Sequence, residues 1–391
     1  MSDTRKTTKP NVPNLRFPGF SGEWASRRIG EDCTVNMCKR IFANQTSEQG
    51  DVPFFKIGTI GGTPDAYITR DLFEEYKAKY NYPHEGEVMI TCAGTVGKTI
   101  VFDGEDAYFQ DSNIVWLSNP KQLYINSFLN YVLSRVNWNI LNSTTITRIY
   151  NDNLRELVIN YPSIKEQEKI VALLSLLDLR IAIQNKVIED LKKLKTALEE
   201  RMLGQCQGKQ VRLRDILIER VEKSRINNQY EVLSSTVSGI YSQREYFNKE
   251  IASADNTGYK AIHRGDVVLS PQNLWMGNIN YNDRFEIGIV SPSYKVFSID
   301  EKFDKGYIAF LLKTRKALWA YSLVSEQGAS IVRRNLNYES FLEISFVIPS
   351  LKEQQATARR LSAFKQKHTM EEAFLRSLLL QKEFMLKSLF I

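Results

Sequence analysis

A six-residue string, Pro162–Gln167 (PSIKEQ), recurs as Pro349–Gln354 (PSLKEQ), an offset of 187 positions (349 − 162). Each copy opens a charged, leucine-rich stretch, 162–203 and 349–391, and Pro162 before the first with Gly204 after it punctuates a helix. The apolar residues of the first stretch follow a heptad frame, with Ile170, Leu177, Leu191 and Leu198 at one seam position and Leu174, Ile181, Ile188 and Met202 at the other. Carrying the offset through gives a second seam of Leu361, Phe364, Leu375, Leu378, Met385 and Leu389. Even the interruptions match, since Gln184 falls on Glu371 and Lys195 on Lys382, although Ile181 falls less well on His368. A helix of this length is a rod of about 60 Å that needs a partner to cover its apolar stripe. One heptad alone reads as a core-facing helix, whereas a repeated opening motif with a repeated seam points to two helices of one bundle. Thr357 and Arg360 stand where the first copy has Ile170 and Leu173, so this end of the second seam is expected to pack less tightly.

The segments that precede the two stretches repeat as well. GEVMIT (Gly86–Thr91) is echoed by GDVVLS (Gly265–Ser270) and FLNYVL (Phe128–Leu133) by YIAFLL (Tyr307–Leu312), both 179 positions on, while RIGE (Arg28–Glu31) is echoed by RLRD (Arg212–Asp215) 184 on. The connecting loops diverge: CAGTVGK (Cys92–Lys98) lies opposite PQNLWMGN (Pro271–Asn278). Short β-type runs at 54–60, 87–91, 99–102 and 114–117 alternate with helical stretches at 71–80 and 126–138, the pattern of an α+β domain and not of a doubly wound sheet. The expected organisation is a polar, disordered tail over 1–14, an α+β domain over 15–161, the first helix over 162–203, a second α+β domain over 204–348, and the second helix over 349–391.

No stretch approaches 18 uninterrupted apolar residues and the N-terminus lacks a hydrophobic signal core, so the chain is expected neither to span a membrane nor to be secreted. Cys33, Cys38, Cys92 and Cys206 show no C-x-x-C spacing, and three histidines, His84, His263 and His368, complete no zinc site, which fits a reducing cytoplasm. A formal charge of +7 permits a polyanionic partner, though surplus Lys and Arg also serve simply as solvated surface.

Three strings approach catalytic motifs and stop short. AGTVGKT (Ala93–Thr99) imitates a phosphate-binding loop, but the first required glycine is Cys92; a tight turn with an exposed Lys98 is the better reading. Pro64-Asp65 followed by Glu75-Tyr76-Lys77 imitates a metal-dependent nuclease, yet the second half lies on a charged helical segment. NYPH at Asn81 and NYPS at Asn160 lack the Pro-Pro-aromatic string of base methylation, and no Gly-rich cofactor turn is present. What remains is basic, amide and aromatic residues in the divergent loops. In the first domain these are Lys39, Arg40, Lys56, Thr95, Lys98, Thr145 and Arg148; in the second, Arg225, Arg244, Arg264, Gln272, Asn273, Trp275, Arg333 and Arg334. Arg and Lys pair with guanine edges, Asn and Gln with adenine, and the remainder with phosphates, so these loops are the candidate DNA-binding surface.

PSIKEQEKIVALLSLLD (Pro162–Asp178) with its echo at Pro349–Phe364, the opening LRFPGFSGEW (Leu15–Trp24) and STTITRIYNDNLRELVI (Ser143–Ile159) resemble the specificity subunit of type I restriction-modification enzymes over essentially the whole chain. The resemblance implies two pseudo-repeated α+β target recognition domains separated by two long antiparallel coiled-coil helices. Each domain would bind one half of a split, asymmetric double-stranded DNA target, while the helices act as spacer and dock two methyltransferase (modification) subunits. It implies no catalysis and no cofactor on this chain: S-adenosylmethionine, ATP and Mg²⁺ would act on the partners, which include restriction/translocase subunits. Two rivals stay open, a stand-alone DNA nuclease or methyltransferase built on the near-miss motifs, and a coiled-coil protein scaffold that never touches DNA.

Overall fold

The computed structural model describes residues 10–138, 148–247, 255–327 and 334–391. The chain divides into two compact units, Met1–Ile183 with Leu375–Ile391, and Gln184–Phe374. The long helices Ile164–Gly204 and Leu351–Leu389 each continue through the division, so a unit comprises one α+β domain and a portion of each helix.

The two domains share a wiring. In the first, a four-stranded antiparallel sheet runs in the order Thr34–Met37, Ile114–Ser118, Val88–Thr91, Thr99–Val101; in the second the order is Leu217–Glu219, Lys295–Ile299, Val267–Leu269, Ile279–Tyr281. Each domain is closed by an antiparallel pair of its first and last strands, Ala25–Arg28 with Val158–Tyr161 and Lys209–Arg212 with Ser345–Ile348. The domains differ in their additions. The first adds Tyr67–Ile68, Val52–Phe55 and Tyr108–Phe109, and the second adds the pairs Lys260–His263 with Ile287–Val290 and Leu233–Ser235 with Ile240–Ser242.

The expected strand at 54–60 stops at Phe55, because the Lys56 carbonyl turns to accept from Thr59 and Ile60 at 3.0 Å each. The helix expected over 126–138 ends at Ser134. Part of the expected N-terminal tail is held: the Asn11 amide donates to the Trp24 carbonyl at 2.6 Å and the Leu15 N–H to the Ser388 carbonyl at 2.8 Å. Residues 1–9 lie outside the described residues.

The repeated glutamine explains the repeated opening motif. Gln167 is buried, donates to the Pro162 carbonyl at 3.0 Å, and accepts from the backbone N–H of Ile125 at 2.8 Å, the residue that precedes the helix Asn126–Ser134. Gln354 does the same, donating to the Pro349 carbonyl at 2.9 Å and accepting from the N–H of Asp304 at 2.9 Å, ahead of the helix Lys305–Leu311. One side chain thus ties the proline turn to the backbone N–H of the residue that leads into a domain helix. The glutamates beside them differ. Glu353 caps its own helix by accepting from the N–H and Oγ of Ser350, whereas Glu166 is buried and takes a two-pronged ion pair from Arg16 at 2.8 Å per prong.

Every residue of the expected seam is buried or half-buried. In the first unit Ile170, Leu174 and Leu177 join Trp24, Phe128, Tyr131, Leu389 and Phe390 in one cluster, with Met385 against it. In the second, Leu198 and Met202 pack on the cluster that holds Leu361 and Tyr307, while Gln184 meets Glu371; position rises along one helix as it falls along the other, so they run antiparallel there. Ile188 and Leu378 are buried, and Ile181, Leu191, Phe364 and Leu375 are half-buried. The Thr357 end is tighter than its composition predicts. Thr357 is buried, and Ala358, one residue on, enters the core beside Tyr307 and Ile308.

Candidate nucleic-acid interface

In the first domain, Arg40 and Lys56 line one concavity of about 300 Å³ together with Phe42, Gln110, Asp111 and Asn113. Arg40 forms an ion pair with Asp111, and Lys56 pairs with Asp65 at 2.8 Å. Arg148 borders the same loop, donating to Ser112 Oγ at 3.3 Å while lying 5.8 Å from the centre of the Tyr150 ring. Lys39 is instead over Tyr80 at 5.5 Å. Gln110, Ser112 and Asn113 were absent from the sequence reading. Their loop joins Tyr108–Phe109 to Ile114–Ser118, and its polar run QDSN between two apolar strands was the available signal. The Gln110 side-chain Oε1 accepts from the Ile57 N–H at 3.2 Å, which fixes the orientation of its amide.

Thr95 and Lys98 belong to a different feature, the hairpin turn between Val88–Thr91 and Thr99–Val101. The Thr91 hydroxyl donates to the Thr95 carbonyl, and the Lys98 ammonium donates to the Ile60 carbonyl. A strand follows this turn where a phosphate cradle needs a helix N-terminus. Gly97 has φ +82°, and a Cβ there would lie 2.1 Å from the Trp138 ring. Gly277 ends the opposite loop in the same way, with φ +89° and a Cβ that would meet Leu318 at 2.8 Å. The two loops therefore share a left-handed glycine pressed against a large apolar side chain, although their own side chains do not match.

In the second domain, Gln272, Asn273 and Trp275 stand on the six-residue 3-10 turn Pro271–Met276, and Arg334 lies over the Trp275 ring at 4.1 Å. The other arginines lie on separate segments. Arg225 is in the turn after Ser224, held by its N–H on the Gln229 side-chain carbonyl at 2.6 Å; Arg244 is on the short helix Gln243–Phe247; and Arg264 pairs with Glu286 at 2.5 Å at the end of a strand. Thr145 and Arg333 lie outside the described residues. A further residue that the sequence did not single out is Lys313, whose ammonium donates to the Gly277 carbonyl at 2.9 Å and the Val237 carbonyl at 3.1 Å. It braces two loops from behind, and burial pushes its pKa down to about 8.

The near-miss catalytic residues are engaged elsewhere. Glu75 pairs with Lys79 at 2.8 Å, Lys77 with Asp106 at 3.2 Å, and Asp65 with Lys56. Among the described residues no group of three or more His, Cys, Asp or Glu is placed to hold a metal ion. Burial pushes the thiols of Cys33, Cys38 and Cys92 up to about 12, so none of the three is a poised nucleophile. No helix among the described residues is long and apolar enough to cross a membrane.

The profile of the type I restriction modification DNA specificity domain matches residues 21–193. Over those residues the chain is similar to this family. The match runs from residue 21 through the rest of the first α+β domain and most of the first long helix. In sequence the chain is similar to a Haemophilus influenzae protein named as a type I restriction enzyme specificity subunit, 48% identical over 163 residues. That alignment spans 42% of this chain and 42% of the relative, less than half of either. In fold, the crystal structure of a type I restriction-modification S subunit from M. genitalium superposes with a TM-score of 0.61 at 18% identity, covering 97% of this chain and 99% of that one. A structure described for complex assembly and conformational transition of the type I R-M system gives a TM-score of 0.54 at 13% identity, over 97% and 99%. At those identities the likeness is one of fold, extending over nearly the whole of each chain.

Proposed function

We propose that the chain is the DNA sequence-recognition subunit of a type I restriction-modification complex, acting in the cytoplasm. The observation that carries this reading is a specificity domain over 21–193 followed by a second domain of the same wiring but different loops. One scaffold with two dissimilar loop sets suits two dissimilar half-sites. The first domain reads one half with the concavity around Arg40, Lys56, Gln110 and Asn113, and the second reads the other with the turn Pro271–Met276 and Arg334. Positioning on the backbone falls to the remaining basic residues, and base edges to the amides and arginines.

The long helices set the unread spacer and dock two methyltransferase subunits. Their exposed faces support docking. Leu176, Leu179 and Ile183 form one apolar row on the first helix, and Leu380 with Phe384, like Met370 with Phe374, forms another on the second, all more exposed than isolated surface residues need be. Chemistry belongs to the partners, with S-adenosylmethionine on the modification subunits and ATP with Mg²⁺ on the restriction/translocase subunits. The stand-alone enzyme is disfavoured because the nuclease-like residues Asp65, Glu75 and Lys77 each pair with a residue outside that motif, Lys56, Lys79 and Asp106 respectively.

The test is binding of the chain assembled with modification subunits to a randomised DNA pool across a salt series. Enrichment of a split, asymmetric motif, weakening steeply with salt, supports the reading. Binding with no sequence preference, or none at all, points to the scaffold, and methyl transfer or cleavage by the purified chain alone points to the enzyme.

A further inference from the structure

Arg334 is handled differently from three other arginines of the chain. Arg40, Arg264 and Arg284 each face a carboxylate, Asp111, Glu286 and Glu245 respectively. Among the described residues Arg334 has no acidic partner, and its Nε is buried without a hydrogen-bond acceptor. Its guanidinium carbon sits 4.1 Å from the centre of the Trp275 ring. Both members of this pair are held. Arg334 opens the strand Arg334–Leu336, whose register places it opposite Gln327, while Trp275 rides on the turn Pro271–Met276, which is anchored by buried Leu274 and closed by Gly277 with Lys313 on its carbonyl.

A planar cation on an indole face keeps one orientation and loses little freedom when its outer N–H groups find a ligand. What it lacks is a planar, bidentate acceptor from outside the chain. In the major groove guanine supplies that with O6 and N7, the commonest specific arginine contact. We propose that Arg334, stacked on Trp275, reads a guanine in the half-site bound by the second domain. This rests on the recognition function proposed above.

The test uses the chain assembled with its modification subunits. Once methylation mapping has given the target, competition among oligonucleotides differing at one base pair measures the preference at every position for wild type, Arg334→Ala, Arg334→Lys, Trp275→Ala and Trp275→Phe. The expected result is loss of about tenfold or more of the preference for guanine at one position of one half-site in Arg334→Ala, Arg334→Lys and Trp275→Ala, with Trp275→Phe near wild type and the other half-site unchanged. A preference unaltered in Arg334→Ala overturns the proposal. So does an Arg334→Lys complex that keeps wild-type selectivity, because a phosphate contact needs only the charge; loss of Arg334 would then lower the salt slope without changing the motif. Ratios between sequences are read within each variant, so a general loss of stability does not imitate the result. If the wild-type complex shows no sequence preference at all, the recognition function itself fails, not this assignment.

Discussion

The side-chain amide of Gln184 donates to both the carboxylate of Glu371, at 2.7 Å, and its backbone carbonyl, at 3.1 Å, and each residue is the other's counterpart under the 187-residue offset. The two copies of the helix thus meet at a pair that interrupts the apolar seam in both. A buried polar pair of this kind marks register more than it adds stability.

Gln184→Leu removes the donor and leaves the Glu371 carboxylate against an apolar seam, so it is expected to destabilise the chain by roughly 1–3 kcal/mol. The double replacement Gln184→Leu with Glu371→Leu removes both partners and should recover most of that loss. Denaturant titration of the three proteins checks this; a double variant less stable than the single would show that the pair itself stabilises.

Gln167 and Gln354 perform one task in two places, so their losses should be local. Gln167→Ala should cost about 2–3 kcal/mol, from the loss of three hydrogen bonds, to Ile125, Leu123 and Pro162, and the groups left unpaired, and raise amide exchange in Asn126–Ser134. Gln354→Ala should do so in Lys305–Leu311. Hydrogen exchange that rises equally in both helices for either variant would contradict separate roles.

The left-handed glycines differ in what lies beside them. Gly97→Ala drives a Cβ into the fixed Trp138 ring, whereas at Gly277 the neighbour is a terminal methyl of Leu318, which can turn away. Both substitutions incur the left-handed penalty of about 1–2 kcal/mol, and Gly97→Ala adds an overpacking cost of similar size. Thermal denaturation should rank Gly97→Ala below Gly277→Ala.

Lys313 makes stability depend on pH. Its folded pKa of about 8 lies below the ordinary lysine value of 10.5, so between those values the unfolded chain binds more protons than the folded one. Stability therefore rises with pH across that window and the penalty is fully present below pH 8; because Lys313 is an exposed residue, solvent screening keeps the effect small. The stability of wild type relative to Lys313→Met should increase from pH 7.5 to pH 9.5 in denaturant titrations. A constant difference would mean the ammonium is solvated.

The helices were legible because a heptad is a local pattern and its repetition 187 residues on is independent support. Core strands such as Val88–Thr91 and Ile114–Ser118 were legible as short apolar runs. Pairs such as Tyr67–Ile68 and Tyr108–Phe109 were not, because two-residue strands carry no alternation. The site was legible as loops and not as contacts. Nothing local tells that Arg40 is neutralised by Asp111, that Lys98 is bound to the Ile60 carbonyl, or that Lys313 reaches under Gly277, since each partner comes from a distant part of the chain. Arg334 and Trp275 were both visible as residue types, and only folding makes them one unit.

The central claim is that each domain reads its own half of a split target across a spacer set by the helices. Methylation mapping on DNA from cells that carry this chain with its modification partners tests it most directly, in wild type and with one heptad inserted into both helices. The account predicts a bipartite, asymmetric motif whose half-sites stay the same and whose spacer lengthens in the variant. A continuous motif, or a spacer unchanged by the insertion, would contradict it.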